Sequence, residues 1–375
     1  MSGASDFPYR EGTAPRSVLI VVTRRIGDVL LATPLIRSLK QAWSQCAVDV
    51  LVFSSTEGVI AANRDVRRVL TIAPRPGWRG HLGLAARIAR RYDVAFSLVP
   101  GDRPTFYAYL AGRWRAGLLV DSRKERWKQR LLNRWAPFDD LNTHTVRMHL
   151  ALAGMAGVAA RGDVTASWSA AEEQQAVQLT GTGASFAVLH PYPKFNYKMW
   201  HQGGWTELAR WLAARGMRTV LTGGGGAEEL AYVAAIARAL PGDTLNAAGR
   251  LTLGASACLV SRARVFVGPD TAMTHVAAAL GVPTVALFGP SNPVKWGPWP
   301  RGHAPDANPW RRCGSQRSGN VTLLQGAGTC VPCHLEGCDR RVGSYSDCLQ
   351  QLSAARVIAA IETVIGDRLT VNGKS

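Results

Sequence analysis

Three short stretches of this sequence carry side chains that could do chemistry. In "VGPDTAMTHVAAALG", Asp270, Thr271, Ala272 and His275 open what reads as a small-residue helix directly after the apolar run "RVFVG". A helix start offers unbonded N–H groups and the positive end of the helix dipole, which suits an anion such as a diphosphate. The plainer reading stays open beside it: Asp270 or Thr271 as an N-cap and His275 as a packed histidine. In "VVTRRIGDVLL", Asp28 stands at the start of a helix, with Gly27 easing the turn. It reads as a cap carboxylate or as a general base at the carboxyl edge of a sheet. In "HPYPKFNYKMW", Lys194 and Lys198 lie on a loop after a later strand, as surface lysines or as a phosphate contact.

Two further motifs are less specific. The turn "LTGGGGAEEL" resembles a dinucleotide fingerprint, but Glu228 stands where the third glycine belongs. What remains is an open turn at Thr222 and Gly223 beside a nucleoside, with Glu228 or Glu229 reaching a ribose hydroxyl. "CVPCHLEGCDRRVGSYSDC" spaces Cys330, Cys333, Cys338 and Cys348 as C-x2-C-x4-C-x9-C. That spacing reads as a structural four-thiolate metal site, zinc before iron, or as four reduced thiols in a loop-rich tail. Cys313 and His334 are substitute ligands. No P-loop, no G-x-S-x-G elbow and no Asp-x-Asp for a divalent cation is present, so phosphate charge falls to protein cations and helix ends.

The elements that must position these residues alternate. "SVLIVV" (17–22), "AVDVLVF" (47–53), "RRVLTIA" (67–73) and "DVAFSLV" (93–99) read as strands, with a helix over 27–43 that Pro34 can bend. A polar stretch at 162–185 breaks the rhythm, and a second βα series starts at "FAVLH" (186–190). Continuous apolar strands between helices imply parallel sheets covered on both faces. The predicted class is α/β: two Rossmann-like, doubly wound parallel-sheet domains facing across a cleft. The expected division is a disordered lead-in at 1–16, an N-terminal domain at 17–165, a linker at 166–185, a C-terminal domain with the cysteine-rich tail at 186–352, and a helix and tail at 353–375.

With 375 residues the chain suits two domains. Its net charge of +18 favours anionic partners without choosing among them. Much of that charge lies in "RGHLGLAARIARRYD" and in "DSRKERWKQRLLNRW" (121–135), where Trp127 and Trp135 interleave with cations. The second stretch reads as a solvated helix face or as a surface for lipid headgroups or an anionic acceptor. The N-terminus shows no signal-peptide pattern, and no apolar run is long enough to span a bilayer. The expected location is the cytoplasm, with seven reduced cysteines.

Taken together, "RRIGDVLLATPLIRSLK", "HPYPKFNYKMW", "GPDTAMTHVAAALGVPTVALFGPSNPVKWGPW" and the "CVPC…GC…DCL" tail resemble the ADP-heptose:lipopolysaccharide heptosyltransferases of glycosyltransferase family 9, most of all the heptosyltransferase III type. The resemblance implies the GT-B fold and an inverting transfer of heptose from ADP-heptose to a hydroxyl of the lipopolysaccharide inner core, with no catalytic metal. It implies Asp28 as the base and Lys198 on the diphosphate. Asp270 would contact the donor sugar, Thr271 and Ala272 would supply N–H groups, and His275, Thr222, Gly223 and Glu228 would complete the donor side. Arg25, Gly27 and Arg103 fall on the acceptor side. The expected partners are the nucleotide sugar, the core acceptor and the cytosolic face of the inner membrane, with no nucleic acid. Competing readings are a same-fold transferase for another sugar or a protein acceptor, a nucleotide-dependent oxidoreductase, and a nucleic-acid-binding protein.

Overall fold

The computed structural model describes residues 7–9, 13–181, 185–240, 242 and 244–371. Parts of the predicted lead-in, linker and C-terminal tail (1–6, 10–12, 182–184 and 372–375) lie outside the described residues. Two compact units divide the chain: Met1–Ser167 with His303–Asn308, and Trp168–Gly302 with Pro309–Ser375.

The first unit holds six strands: β1 (Ser17–Val21), β2 (Ala47–Phe53), β3 (Arg68–Ile72), β4 (Tyr92–Ser97), β5 (Gly112–Leu119) and β6 (Arg134–Pro137). They pair in parallel in the order β3-β2-β1-β4-β5-β6. The runs that form β1, β2 and β4 are almost wholly buried because helices cover both faces of the sheet. A buried carboxylate interrupts this. Asp49, fully buried on β2, accepts hydrogen bonds from Arg67, Arg68 and Tyr92 and ties β2 to β3 and β4.

The second unit holds β7 (Phe186–Leu189), β8 (Arg218–Leu221), β9 (Leu245–Asn246), β10 (Val265–Pro269), β11 (Thr284–Phe288), β12 (Gln316–Ser318) and β13 (Val321–Gln325). Their order is β12-β13-β11-β10-β7-β8-β9, with only β12 antiparallel. Counted from β7, this repeats the order of the first sheet and adds one edge strand. In each sheet the winding reverses once, between β1 and β4 and between β7 and β10. Doubly wound sheets bind ligands at such a reversal, beyond the carboxyl ends of the strands.

Several elements differ from the sequence expectation. The helix expected over 27–43 is two helices, Ile26–Leu30 and Thr33–Ala42. Pro34 does not bend a continuous helix but sits in the first turn of the second, where its missing N–H costs nothing. The lead-in is not wholly loose: Phe7 is buried, stacked 5.7 Å from Trp43 and edge-on 4.8 Å from Trp114. Within the expected linker, Ala170–Thr180 is a capped helix packed against Leu253–Ser261 in the second unit. The basic 121–135 stretch is not one helical face. It is a short 3-10 turn, the helix Arg126–Gln129 and the start of β6.

Candidate active site

In the first unit, Asp28 lies beyond the end of β1, beside the reversal of the sheet. The chain leaves β1, turns at Arg24 and enters the helix Ile26–Leu30. Asp28 is its third residue and not its cap; the N-cap position is Arg25, whose side chain makes no capping bond. The cap reading of Asp28 therefore falls. Gly27 belongs to the helix as well and eases no turn before it. The Asp28 carboxylate is nearly buried, with Arg24 Nε 3.5 Å from Oδ1. Arg25 is exposed. Arg103, on the helix Asp102–Ala111 after β4, donates to the Pro74 carbonyl at 2.9 Å.

In the second unit, the loops after β7 and β10 meet at that sheet's own reversal. Lys198 ends a 3-10 turn, Asn196–Lys198, beyond β7. Asp270 directly follows β10. Lys198 Nζ lies 2.5 Å from Asp270 Oδ2, with both side chains largely buried. Asp270 is not the cap of the following helix. That role belongs to Thr271, whose hydroxyl accepts from Thr274 N–H. Burial alone would raise the pKa of Asp270. The charges of Lys198 and His275, with hydrogen bonds from Lys198 and Ser291, outweigh it and hold the carboxyl below its usual range.

His275 sits one turn into the helix Ala272–Ala279. Burial pushes its imidazole down to about 4, against the pull of Asp270, so the ring is neutral near pH 7. Its Nδ1 is buried and has no hydrogen-bond partner among the described residues. The cluster thus offers one cation, one anion and a neutral ring with an unused polar atom. The first residue of that helix, Ala272, presents its backbone N–H at the same corner.

The Gly-rich turn lies beyond β8. Thr222 is buried and hydrogen-bonded to His190 Nδ1 at 3.0 Å, and burial pushes the His190 imidazole down to about 4, so it is neutral near pH 7. A side chain at Gly223 would press on Glu229 at 3.0 Å. Glu229 accepts from the Gly224 N–H at 2.6 Å, so it braces the turn. Glu228 is exposed and takes a hydrogen bond from Tyr192 at 3.3 Å. Of the two carboxylates, Glu228 is the more exposed and Glu229 is engaged with the turn. Lys194 is exposed, with its ammonium 5.9 Å from the centre of the Phe195 ring.

The sequence reading gave no role to Ser291 and His190, which lie inside the quoted stretches but act across loops. It also missed what the cysteine-rich tail does. Ser346 Oγ donates to the Tyr197 carbonyl at 2.7 Å, Gln350 Nε2 to the Met199 carbonyl at 2.8 Å, and Asn196 Nδ2 to the Gly343 carbonyl at 3.3 Å. Trp200 Nε1 reaches the Leu352 carbonyl at 2.6 Å. The tail therefore clamps the loop that carries Lys198.

The structure does not support the structural-zinc expectation. Cys330 and Cys338 are exposed, Cys333 is half-buried and Cys348 is buried. Burial, with the other three cysteines nearby, pushes the Cys348 thiol up to about 12. Cys338 Sγ instead accepts from the Asp347 N–H at 3.3 Å. The other three thiols lie near Cys348, and among the described residues no group of three or more His, Cys, Asp and Glu side chains is arranged to hold a metal ion.

A model of glycosyltransferase family 9 (heptosyltransferase) matches residues 85–304. Among curated proteins, the chain is 27% identical over 294 residues to lipopolysaccharide heptosyltransferase 3 of Escherichia coli, covering 73% of this chain and 83% of that protein. It is 30% identical over 290 residues to lipopolysaccharide heptosyltransferase 1 of Pseudomonas aeruginosa, covering 74% and 79%. Among solved structures, a family 9 glycosyl transferase from Veillonella parvula superposes with a TM-score of 0.75 at 19% identity, over 94% of this chain and 97% of that one. The E. coli ADP-heptose lps heptosyltransferase II superposes at 0.70 and 20%, over 94% and 99%. The architecture is that of the GT-B glycosyltransferases. With the family match lying over more than half of the 375 residues, this chain belongs to glycosyltransferase family 9, the heptosyltransferases, and is an enzyme.

Proposed function

We propose that this enzyme moves a heptose from ADP-heptose to a hydroxyl of the lipopolysaccharide inner core, with inversion and without a catalytic metal. The observation that carries the donor assignment is the Lys198–Asp270 pair beside neutral His275, at the reversal of the second sheet. A diphosphate there meets a lysine cation and the N-terminal N–H groups at Thr271 and Ala272. Asp270 and the unused His275 nitrogen are left for sugar hydroxyls. Thr222, Gly223 and Glu228 flank the nucleoside.

The first unit supplies the acceptor side, with Asp28, Arg25, Gly27 and Arg103 in the loops and helices that follow β1 and β4. As the acceptor oxygen attacks the anomeric carbon, its proton passes to the Asp28 carboxylate. The carbon–oxygen bond to ADP breaks and its electron pair stays on the leaving phosphate. Lys198 and the helix N-terminus stabilise that charge as it develops. Attack opposite the leaving group inverts the centre. A lipid-borne acceptor places the enzyme at the cytosolic face of the inner membrane as a peripheral protein. No helix among the described residues is long and apolar enough to cross a membrane.

The test is ADP release from ADP-heptose with and without a heptose-bearing core acceptor, against a panel of other nucleotide sugars and a protein acceptor. Release that depends on both ADP-heptose and the core supports the reading. Release with a different sugar, or with the protein acceptor alone, overturns it.

A further inference from the structure

Four large apolar side chains of the first unit stand in solvent on adjoining elements. On the helix Trp78–Ile88, Leu84 and Ile88 turn to the core. Trp78 and Leu82, one turn apart on another side, keep 68% and 60% of their surface exposed. Phe106, on the helix Asp102–Ala111, keeps 52%, and Trp127, on the loop between β5 and β6, keeps 50%. Single exposed apolar residues need no explanation, but a joined set does.

Specific contacts join them. Tyr107 and His81 pair at 2.9 Å, and Arg103 holds the Pro74 carbonyl, so the two helices meet along the halves that carry Trp78, Leu82 and Phe106. Buried Lys128 binds Asp102 at 2.5 Å, and also Glu125, fixing the Trp127 loop to the start of the second helix. These elements all follow the carboxyl ends of β3, β4 and β5, the edge of the sheet on which Asp28 also lies. Cations interleave with the rings. Arg75 and Arg79 are exposed beside Trp78, the Arg79 guanidinium lying 5.2 Å from its ring, and the Trp127 loop adds further exposed Arg and Lys. Large apolar groups on a short helix among arginines are the pattern of an element that lies in the headgroup layer of a bilayer. The cations select anionic lipid.

We propose that this face, centred on Trp78, Leu82 and Phe106, docks the enzyme on an anionic lipid bilayer. The inference deepens the peripheral contact proposed above by naming its surface, and assigns insertion to the helix Trp78–Ile88 in place of the basic 121–135 stretch alone. The occupant is a membrane because rings and cations share one face. A soluble polyanion would use the cations and leave Trp78 and Leu82 without a partner.

The experiment is sedimentation of the full chain with vesicles of phosphatidylethanolamine and phosphatidylglycerol, or of phosphatidylcholine alone, without donor or acceptor. Wild type is expected to bind the anionic vesicles, less so as salt rises. The variant Trp78→Ser/Leu82→Ser should bind at least about tenfold more weakly, about 1.4 kcal/mol. Arg75→Glu/Arg79→Glu should lose the preference for anionic lipid. Both should transfer sugar to an acceptor stripped of acyl chains at the wild-type rate, which separates this inference from the enzymatic reading. Equal vesicle binding by Trp78→Ser/Leu82→Ser and wild type overturns it. So does a wild type that ignores vesicles but binds heparin, or that self-associates through these residues.

Discussion

Removing Lys198 tests whether the second-unit cluster is a true buried ion pair. Its ammonium lies 2.5 Å from Asp270, and the two side chains keep 16% and 8% of their surface. Taking one partner from such a pair leaves the other charge in a poorly solvated place, at a cost of about 3–5 kcal/mol. Lys198 retains some solvent and Asp270 keeps its Ser291 contact, so Lys198→Ala should lie at the lower end, about 3 kcal/mol. Adding Asp270→Asn removes the stranded charge and should restore stability to within about 1 kcal/mol of wild type.

The pH dependence has a definite sign. In wild type the Asp270 pKa is depressed, so its contribution is full above the unfolded value near 4 and is lost only as pH falls through the lower folded value. In Lys198→Ala, burial remains while the main opposing charge is gone, so the carboxyl rises. The variant's deficit should be widest at about pH 8 and shrink toward pH 5 as Asp270 takes up a proton. Urea titrations of wild type, both single variants and the double variant at the two pH values measure all of this. A Lys198→Ala deficit under about 1 kcal/mol at pH 8, or strict additivity in the double variant, refutes the buried pair.

Three other outcomes are expected. Asp28→Asn should lower turnover by about 10²–10⁴ while donor affinity measured by calorimetry stays put; near wild-type turnover would remove Asp28 as the base. Asp49→Ala should destabilise the first unit by about 3 kcal/mol, since Arg67, Arg68 and Tyr92 lose their acceptor. Burial would raise the Asp49 pKa, but those hydrogen bonds hold it low. The contribution is therefore intact above about pH 4 and lost on acidification through the folded value. An Asp49→Ala deficit that persists unchanged to pH 2 would contradict that account. Ser346→Ala should weaken ADP binding severalfold by loosening the Lys198 loop, and should do nothing in a Lys198→Ala background; additive losses would show that the tail acts elsewhere.

How much of this was legible depended on what each segment buries. The runs forming β1, β2 and β7 were plain because both faces of these strands are covered, leaving apolar stretches that Asp49 interrupts in β2. β5, "GRWRAGLL", and β6, "RWAP", were not, because arginine, glycine and proline interrupt them toward the sheet edge. β9 is two residues long, too short for any period to show. Asp28, Lys198, Asp270 and His275 were visible because each follows a recognisable strand. The Ser291 contact to Asp270 and the His190–Thr222 bond were not, since each depends on how loops distant in sequence come together, and the Glu229 contact was not, since it depends on how the glycine turn folds back on itself. Spacing constrains which thiols could converge, but only the fold decides whether they face one point.

The hydrogen bonds give the tail a reason for its place. A lysine on a loop is a weak device for holding a diphosphate, because its long side chain and its backbone both lose entropy on binding. Here the backbone part of that cost falls on folding. Tyr197 and Met199, on either side of Lys198, are each held by a tail side chain, and Trp200 is anchored to Leu352 and packed edge-on against Trp205 at 4.8 Å. The ammonium is held in its turn by Asp270 and cannot drift into solvent. An arriving diphosphate would compete with Asp270 for the same three N–H donors. Its binding would draw the cation partly away and leave the carboxylate to sugar hydroxyls at the moment a sugar arrives. On this logic the pair compensates a buried cation in the empty site and, once a donor is bound, divides into a phosphate contact and a sugar contact. The buried, neutral His275 supports that division, since a second cation in the cluster would bind Asp270 and hold it back from the sugar.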